Sequence, residues 1–145
     1  GLPGLRAGFL IANPAIVARF LDFMQPWILN SLAQEALAWL YRNHAQVEAF
    51  VAETRGYLET ERGTFRQALA SVAQMMVYPS LTSYLLVGLP DRWRADEVCA
   101  FMTQERLLIR NCSNFYGLSD RFIRVALKHT DLNRLAARRL VEICA

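Results

Sequence analysis

The sequence predicts an α+β fold in which helices pack on a small, mainly antiparallel sheet. Three observations carry that expectation. Helical spacing of apolar residues dominates the first half, with Val47, Phe50, Val51, Thr54, Leu58, Phe65 and Leu69 as its longest run. Beyond Leu69 the apolar period shortens, and brief β-like runs alternate with helix and turn signals. The connections between these later elements are short, which suits a small sheet covered by helices.

The first element expected is a strand over residues 5–12, Leu-Arg-Ala-Gly-Phe-Leu-Ile-Ala, after a Gly-Leu-Pro turn. Its nearly unbroken apolar character fits a strand buried on both faces, so it reads as borrowed from a larger sheet. Asn13-Pro14 starts a helix, with Asn as N-cap and Pro at the first helical position, running to about Met24. Gln25-Pro26-Trp27 breaks it. Asn30 or Ser31 caps a second helix to about Tyr41. Asn43 caps a longer third one, in which Gly63 is a weak point and not a certain stop. Strands follow over 75–78 and 83–87 around Pro79, then a turn over 88–91, a helix over 95–104 and a short strand over 107–110. A loop rich in Asn, Ser and Gly covers 111–120. A strand over 122–127 and a last helix, capped by Thr130 or Asp131 and ending near Ile143, complete the chain.

Of the 145 residues, 54% are hydrophobic and 20% charged. That balance excludes global disorder, and the length suffices for a core without disulfides or metal. The apolar excess points to surface that something else covers. A net charge of +3 is a mild bias, without the concentrated basic patch of a nucleic-acid binder. The densest basic cluster, Arg134, Arg138 and Arg139, suits a helix C-terminus. No run of about 18 apolar residues offers a membrane span. Cys99, Cys112 and Cys144 have neither CxxC spacing nor a neighbouring histidine. Reduced cytoplasmic thiols and no metal site are therefore expected. His44 and His129 read as bystanders. Glu53, Glu59 and Glu61, among Arg55 and Arg62, read as a solvated helix face.

Several polar residues stand out against this background. Arg124 lies mid-strand on the face of Phe122 and Ala126, where a buried charge needs a partner. An ion pair is one answer and an anionic ligand another. Arg110 ends the preceding strand. Arg6 sits between Gly4 and Gly8, which allow close backbone approach, and Asn30 follows Pro26-Trp27. Asn114 and Tyr116 occupy the loop between the later arginines as pocket or lid candidates.

Four segments, taken in order, carry a resemblance. They are Gly4-Leu5-Arg6-Ala7-Gly8-Phe9, then Gln25-Pro26-Trp27-Ile28-Leu29-Asn30-Ser31-Leu32-Ala33-Gln34, then Leu107 through Leu118, then Arg121-Phe122-Ile123-Arg124-Val125-Ala126-Leu127. Together they resemble the fold-type I pyridoxal 5'-phosphate (PLP) enzymes of the histidinol-phosphate aminotransferase group, nearest to the threonine-phosphate decarboxylases of cobalamin biosynthesis. The resemblance covers nearly the full chain. Each segment alone is weak, and the ordered set is strong.

The resemblance implies that residues 1–13 are a remnant strand of a large PLP-binding domain, 14–42 connecting helices and 43–145 the small C-terminal domain. It implies that the cofactor is PLP, with Arg6 a ligand of its phosphate. Arg124 would grip the substrate carboxylate as a bidentate fork, a geometry lysine cannot replace, and Arg110 would bind the substrate phosphate. Asn30 and Asn114 are further substrate-binding candidates. The Schiff-base lysine would fall three residues before Gly1, and Lys128 does not match it. The chain alone is therefore expected to be inactive. The family also implies a homodimer.

Three functions follow as alternatives. The first is the C-terminal part of a threonine-phosphate decarboxylase, a PLP-dependent lyase acting on a phosphorylated amino acid. The second is a histidinol-phosphate-type aminotransferase. The third, of another class, is a stand-alone protein-binding module.

Overall fold

A computed structural model describes residues 3–145. By its internal contacts the chain divides into two compact units, Gly1–Val51 and Ala52–Ala145. The Gly-Leu-Pro turn expected at the start falls partly outside the described residues.

The first unit is helical. A short 3-10 turn at Pro3–Leu5 precedes an irregular stretch, and then come α1 (Pro14–Leu21) and α2 (Ser31–Arg42). Both helices begin as their sequence dictates. The Asn13 side chain accepts from the Ala15 N–H at 3.0 Å, and the Asn30 side chain from the Ala33 N–H at 2.9 Å. Each satisfies a donor that the first helical turn leaves without a partner. Helix α1 stops at Leu21, short of the expected Met24. Asn43 closes α2, its side-chain amide donating to the Trp39 carbonyl at 2.8 Å, and also accepts the Val47 N–H through its own carbonyl.

The expected strand over residues 5–12 does not form. A strand is a hydrogen-bonding relation between segments, and this one has no partner strand among the described residues. Its larger side chains from Phe9 on stand in solvent instead, Phe9 83% and Ile11 96% exposed.

The second unit holds the core. It starts within α3 (His44–Leu69), which runs through Gly63 without a break. A Cβ at Gly63 would meet nothing within 4 Å, while Phe65 and Leu69, within the next two turns, are buried. Their packing outweighs the local cost of glycine, about 1 kcal/mol. Four short strands follow, all antiparallel in the order β1-β2-β4-β3: β1 (Met76–Val77), β2 (Tyr84–Gly88), β3 (Arg110–Asn111) and β4 (Phe122–Ala126). Alternation sends Leu85, Val87, Ile123 and Val125 to the core. There they meet Val98 and Met102 of α4 (Ala95–Gln104) and Leu140 of α5 (Thr130–Cys144). Helix α4 has the expected bounds. The Glu97 carboxylate accepts from the Arg94 N–H at 2.9 Å, and acidic Asp96 and Glu97 in the first turn suit the helix dipole.

Two expectations fail at the start of α5. The capping position belongs to His129, which makes no side-chain cap bond. Glu61 is not on a solvated face but 6% exposed. Its carboxylate accepts from the Thr130 hydroxyl and the Asn133 amide, each at 2.6 Å, and Asn133 in turn accepts from the Lys128 N–H at 2.7 Å. Two side chains of the first turn of α5 are thus tied to a carboxylate of α3, the Thr130 contact spanning 69 residues. Helical spacing places Glu61 one turn before Phe65, on the face that packs inward. No helix among the described residues is long and apolar enough to cross a membrane.

Candidate functional site

The site is assembled on the open face of the sheet. In β4 the core takes Ile123 and Val125, leaving Phe122, Arg124 and Ala126 half-buried on the other face. In β3 the exposed residue is Arg110. Antiparallel register pairs Arg110 directly with Arg124, so two guanidinium groups grow from neighbouring positions on adjacent strands. Like charges in directly opposed positions destabilise a sheet. Two unit charges about 4 Å apart repel by roughly 1 kcal/mol in water and roughly 4 kcal/mol near a protein surface.

The usual remedy, a carboxylate, is missing. Among the described residues the ion pairs join other partners, and neither Arg110 nor Arg124 takes part in one. Arg124 lies over the Tyr84 ring instead, 4.4 Å from its centroid, with the Phe115 ring 5.7 Å away. Arg110 is 5.5 Å from the same Phe115 ring and donates to the Asn114 side-chain oxygen at 3.0 Å. A cleft of about 250 Å³ opens beside them, lined by Tyr84, Leu108, Ile109, Arg110, Arg124 and Ala126. It offers two cationic forks against apolar walls, which suits a small anionic ligand with an aliphatic body.

Cys112 lies fully buried beside this pair. Burial pushes its thiol up, while the charges of Arg124 and Arg110 pull the other way. Cys99 is pushed up by burial and then by Cys112 and Asp96. Both thiols are therefore protonated, poor nucleophiles at neutral pH.

The structure brings Arg110, Arg124 and Asn114 together. Asn114 acts on Arg110, spending its oxygen there. Tyr116 is fully exposed, and among the described residues it has no hydrogen bond or ring-stacking contact with either arginine. Arg6 and Asn30 belong to the other unit. Arg6 is exposed with a φ of 53°, a left-handed conformation uncommon for a residue with a side chain. A Cβ on Gly4 or Gly8 would meet nothing within 4 Å, so the close approach those glycines allow is not made among the described residues. Asn30 serves as the α2 cap, its amide nitrogen free of hydrogen bonds among the described residues. Tyr84 and Phe115 are the members that sequence reasoning did not place in the site. The period-two alternation of β2 holds the one available signal for Tyr84. Phe115 shows only as an aromatic residue in a polar loop.

Comparison with known proteins gives a consistent result. The family model described as aminotransferase class I and II matches residues 1–140. The threonine-phosphate decarboxylase of Salmonella typhimurium is 36% identical over 143 residues, covering 97% of this chain and 38% of that protein. Histidinol-phosphate aminotransferase 1 of Burkholderia lata is 31% identical over 142 residues, with 97% and 38% covered. The crystal structure of L-threonine-O-3-phosphate decarboxylase from Porphyromonas gingivalis superposes with a TM-score of 0.83 at 30% identity, covering 98% of this chain and 42% of that one. The chain spans about two fifths of the length of these relatives.

Proposed function

Because the chain belongs to the aminotransferase class I and II family, we propose that it serves a PLP-dependent enzyme as the part that grips a phosphorylated amino acid. The observation that carries this reading is the pair Arg110 and Arg124, opposed on adjacent strands without a carboxylate partner. Two unspent guanidinium groups side by side are matched by a ligand carrying two anionic groups close together.

Enzymes of this family use PLP. When bound, the cofactor supplies an electron sink for bond cleavage next to the substrate nitrogen. This chain fits one part of that requirement. Arg6 is exposed and in no ion pair among the described residues, so its donors are free for the cofactor phosphate. Lys128 sits between β4 and α5 with its N–H and carbonyl bound to Asn133. It is read as part of that corner and not as the cofactor lysine.

On the substrate side Arg124 holds the carboxylate, since a planar fork can give two parallel N–H bonds to it. Arg110 holds the phosphate, steadied by Asn114. Asn30, in the other unit, keeps an amide nitrogen free of hydrogen bonds among the described residues and stays a substrate-binding candidate. These groups bind and orient; the bond that breaks depends on how the substrate is held. We favour decarboxylation of L-threonine O-3-phosphate, because the decarboxylase relative is 36% identical against 31% for the aminotransferase. Transamination of histidinol phosphate is the second reading. A homodimer belongs to the same proposal.

The test uses protein expressed from the complete reading frame that contains this sequence. With PLP and L-threonine O-3-phosphate, and no keto acid, aminopropanol phosphate accumulates over many turnovers. Arg124→Ala lowers kcat/KM about 100-fold or more, as expected when one member of a charge-paired contact is truncated. Amino transfer to 2-oxoglutarate from histidinol phosphate in its place moves the protein to the second reading. Turnover of neither substrate overturns both.

A further inference from the structure

We infer that Tyr84 and Phe115 are positioning residues that hold Arg124 and Arg110 in place of carboxylates, leaving the guanidinium edges open to an oxyanion. The inference rests on the reading of the arginine pair as an anion grip and adds how that grip is kept ready.

A carboxylate partner would hold an arginine but spend it. It neutralises the charge and takes the in-plane N–H groups that a ligand oxyanion needs. An aromatic ring holds the same group by its face. The ring's negative face attracts the cation, and the five N–H donors around the edge stay available. Arg124 has this arrangement, with Tyr84 at 4.4 Å and Phe115 at 5.7 Å. Phe115 is shared, lying 5.5 Å from Arg110, so one ring steadies both cations. The only hydrogen bond made by either guanidinium group among the described residues is the one Arg110 donates to Asn114, a neutral acceptor that leaves the Arg110 charge intact.

Both rings are themselves held by backbone. Tyr84 lies in β2 opposite Ala126, and its N–H donates to the Thr82 hydroxyl at 3.1 Å. The Phe115 N–H donates to the Cys112 carbonyl at 2.9 Å, and the Phe115 carbonyl accepts from the Leu118 N–H at 3.1 Å. The Ser113 N–H is taken by the Asn111 side chain at 2.8 Å. Preorganised partners reduce the ordering that a ligand must impose on flexible arginine side chains. The consequence is a preference for oxyanions that approach edge-on, and no gain for neutral ligands.

The test follows the Arg124 and Arg110 side-chain Nε–H signals of the 145-residue chain by ¹⁵N relaxation, first without ligand and then during titration with O-phospho-L-threonine. In the free protein Arg124 is ordered. Tyr84→Leu makes it mobile, Phe115→Leu loosens both arginines, and Tyr84→Phe, which keeps the ring, restores wild-type order. Backbone spectra and Tm stay near wild type, as expected at half-exposed positions. Affinity for O-phospho-L-threonine falls about tenfold in the leucine variants and not in Tyr84→Phe. Arg124 equally ordered in wild type and Tyr84→Leu overturns the inference, whether or not a ligand binds. A wild-type chain that binds no O-phospho-L-threonine, yet loses Arg124 order in Tyr84→Leu, sinks the anion grip and leaves the ring contacts standing.

Discussion

Residues 52–145 and residues 1–51 have similar appetites for burial and opposite outcomes. Every buried apolar side chain among the described residues lies in the later unit except Ala33. There Phe65, Leu85, Ile123 and Leu140 close around a sheet with helices on one side. The earlier unit carries Phe9, Ile11, Phe20, Phe23, Trp27 and Ile28 in the open, though both of its helices are capped as well as any in the chain. Caps and propensity thus suffice to start a helix but not to build a core. The later unit gains its core because strands give helices a second layer to lie against. The same difference sorts the site residues. Arg110, Arg124 and Asn114 are held by neighbours from three elements, whereas Arg6 and Asn30 are held only by local backbone geometry.

The contrast breaks most sharply at the core. Phe65→Ala should cost about 3–5 kcal/mol in chemical denaturation, the range for a large aromatic removed from a packed interior. Phe23→Ala, at an 85% exposed position, should stay within about 0.5 kcal/mol. Comparable losses at both positions would mean that the earlier unit has a core after all. A second test uses the one strongly shifted group. Burial pushes the Cys144 thiol from its usual 9.0 up to about 11, against the pull of Arg92. Below pH 9 the folded and unfolded chains both keep this proton; between about 9 and 11 only the folded one does. Stability should therefore fall through that window, by about 2–3 kcal/mol in all. Cys144→Ala should flatten that part of the pH profile, and an unchanged slope would show that the thiol is not buried in solution. The smallest effect is Asn30→Ala. Loss of the cap should cost about 1 kcal/mol, read as faster amide exchange at the start of α2 with protection in residues 52–145 unchanged. Faster exchange across residues 52–145 as well would contradict the local reading of that cap.

Much of the fold was legible because it is local. Asn13-Pro14 and Asn30 announce helix starts through bonds made within three residues, and α4 has the bounds its pattern implies. The turn to short strands after Leu69 is visible as a change of period. Gly63 is a weak point that α3 runs through, because Phe65 and Leu69 just beyond it pack into the core. Residues 5–12 misled because apolar β-like sequence specifies the wish for a partner and not its presence. Glu61 misled for the converse reason. Its neighbours in sequence are charged and solvated, while its partners, Thr130 and Asn133, lie 69 and 72 residues away.

The candidate site divides along the same line. Arg124 stood out as a charge in an apolar alternating run, and the family resemblance supplied roles for it, Arg110 and Arg6. By itself the sequence determined the helix starts, the strand faces and the presence of unusually placed arginines, because those follow from residue type and from periods of two and 3.6. Only the tertiary structure decided that Arg110 stands directly opposite Arg124, that aromatic rings hold them instead of carboxylates, and that Glu61 ties down the Thr130 and Asn133 side chains of α5. Each of those facts depends on strand register or on contacts between distant segments, and neither is written in any local stretch of chain.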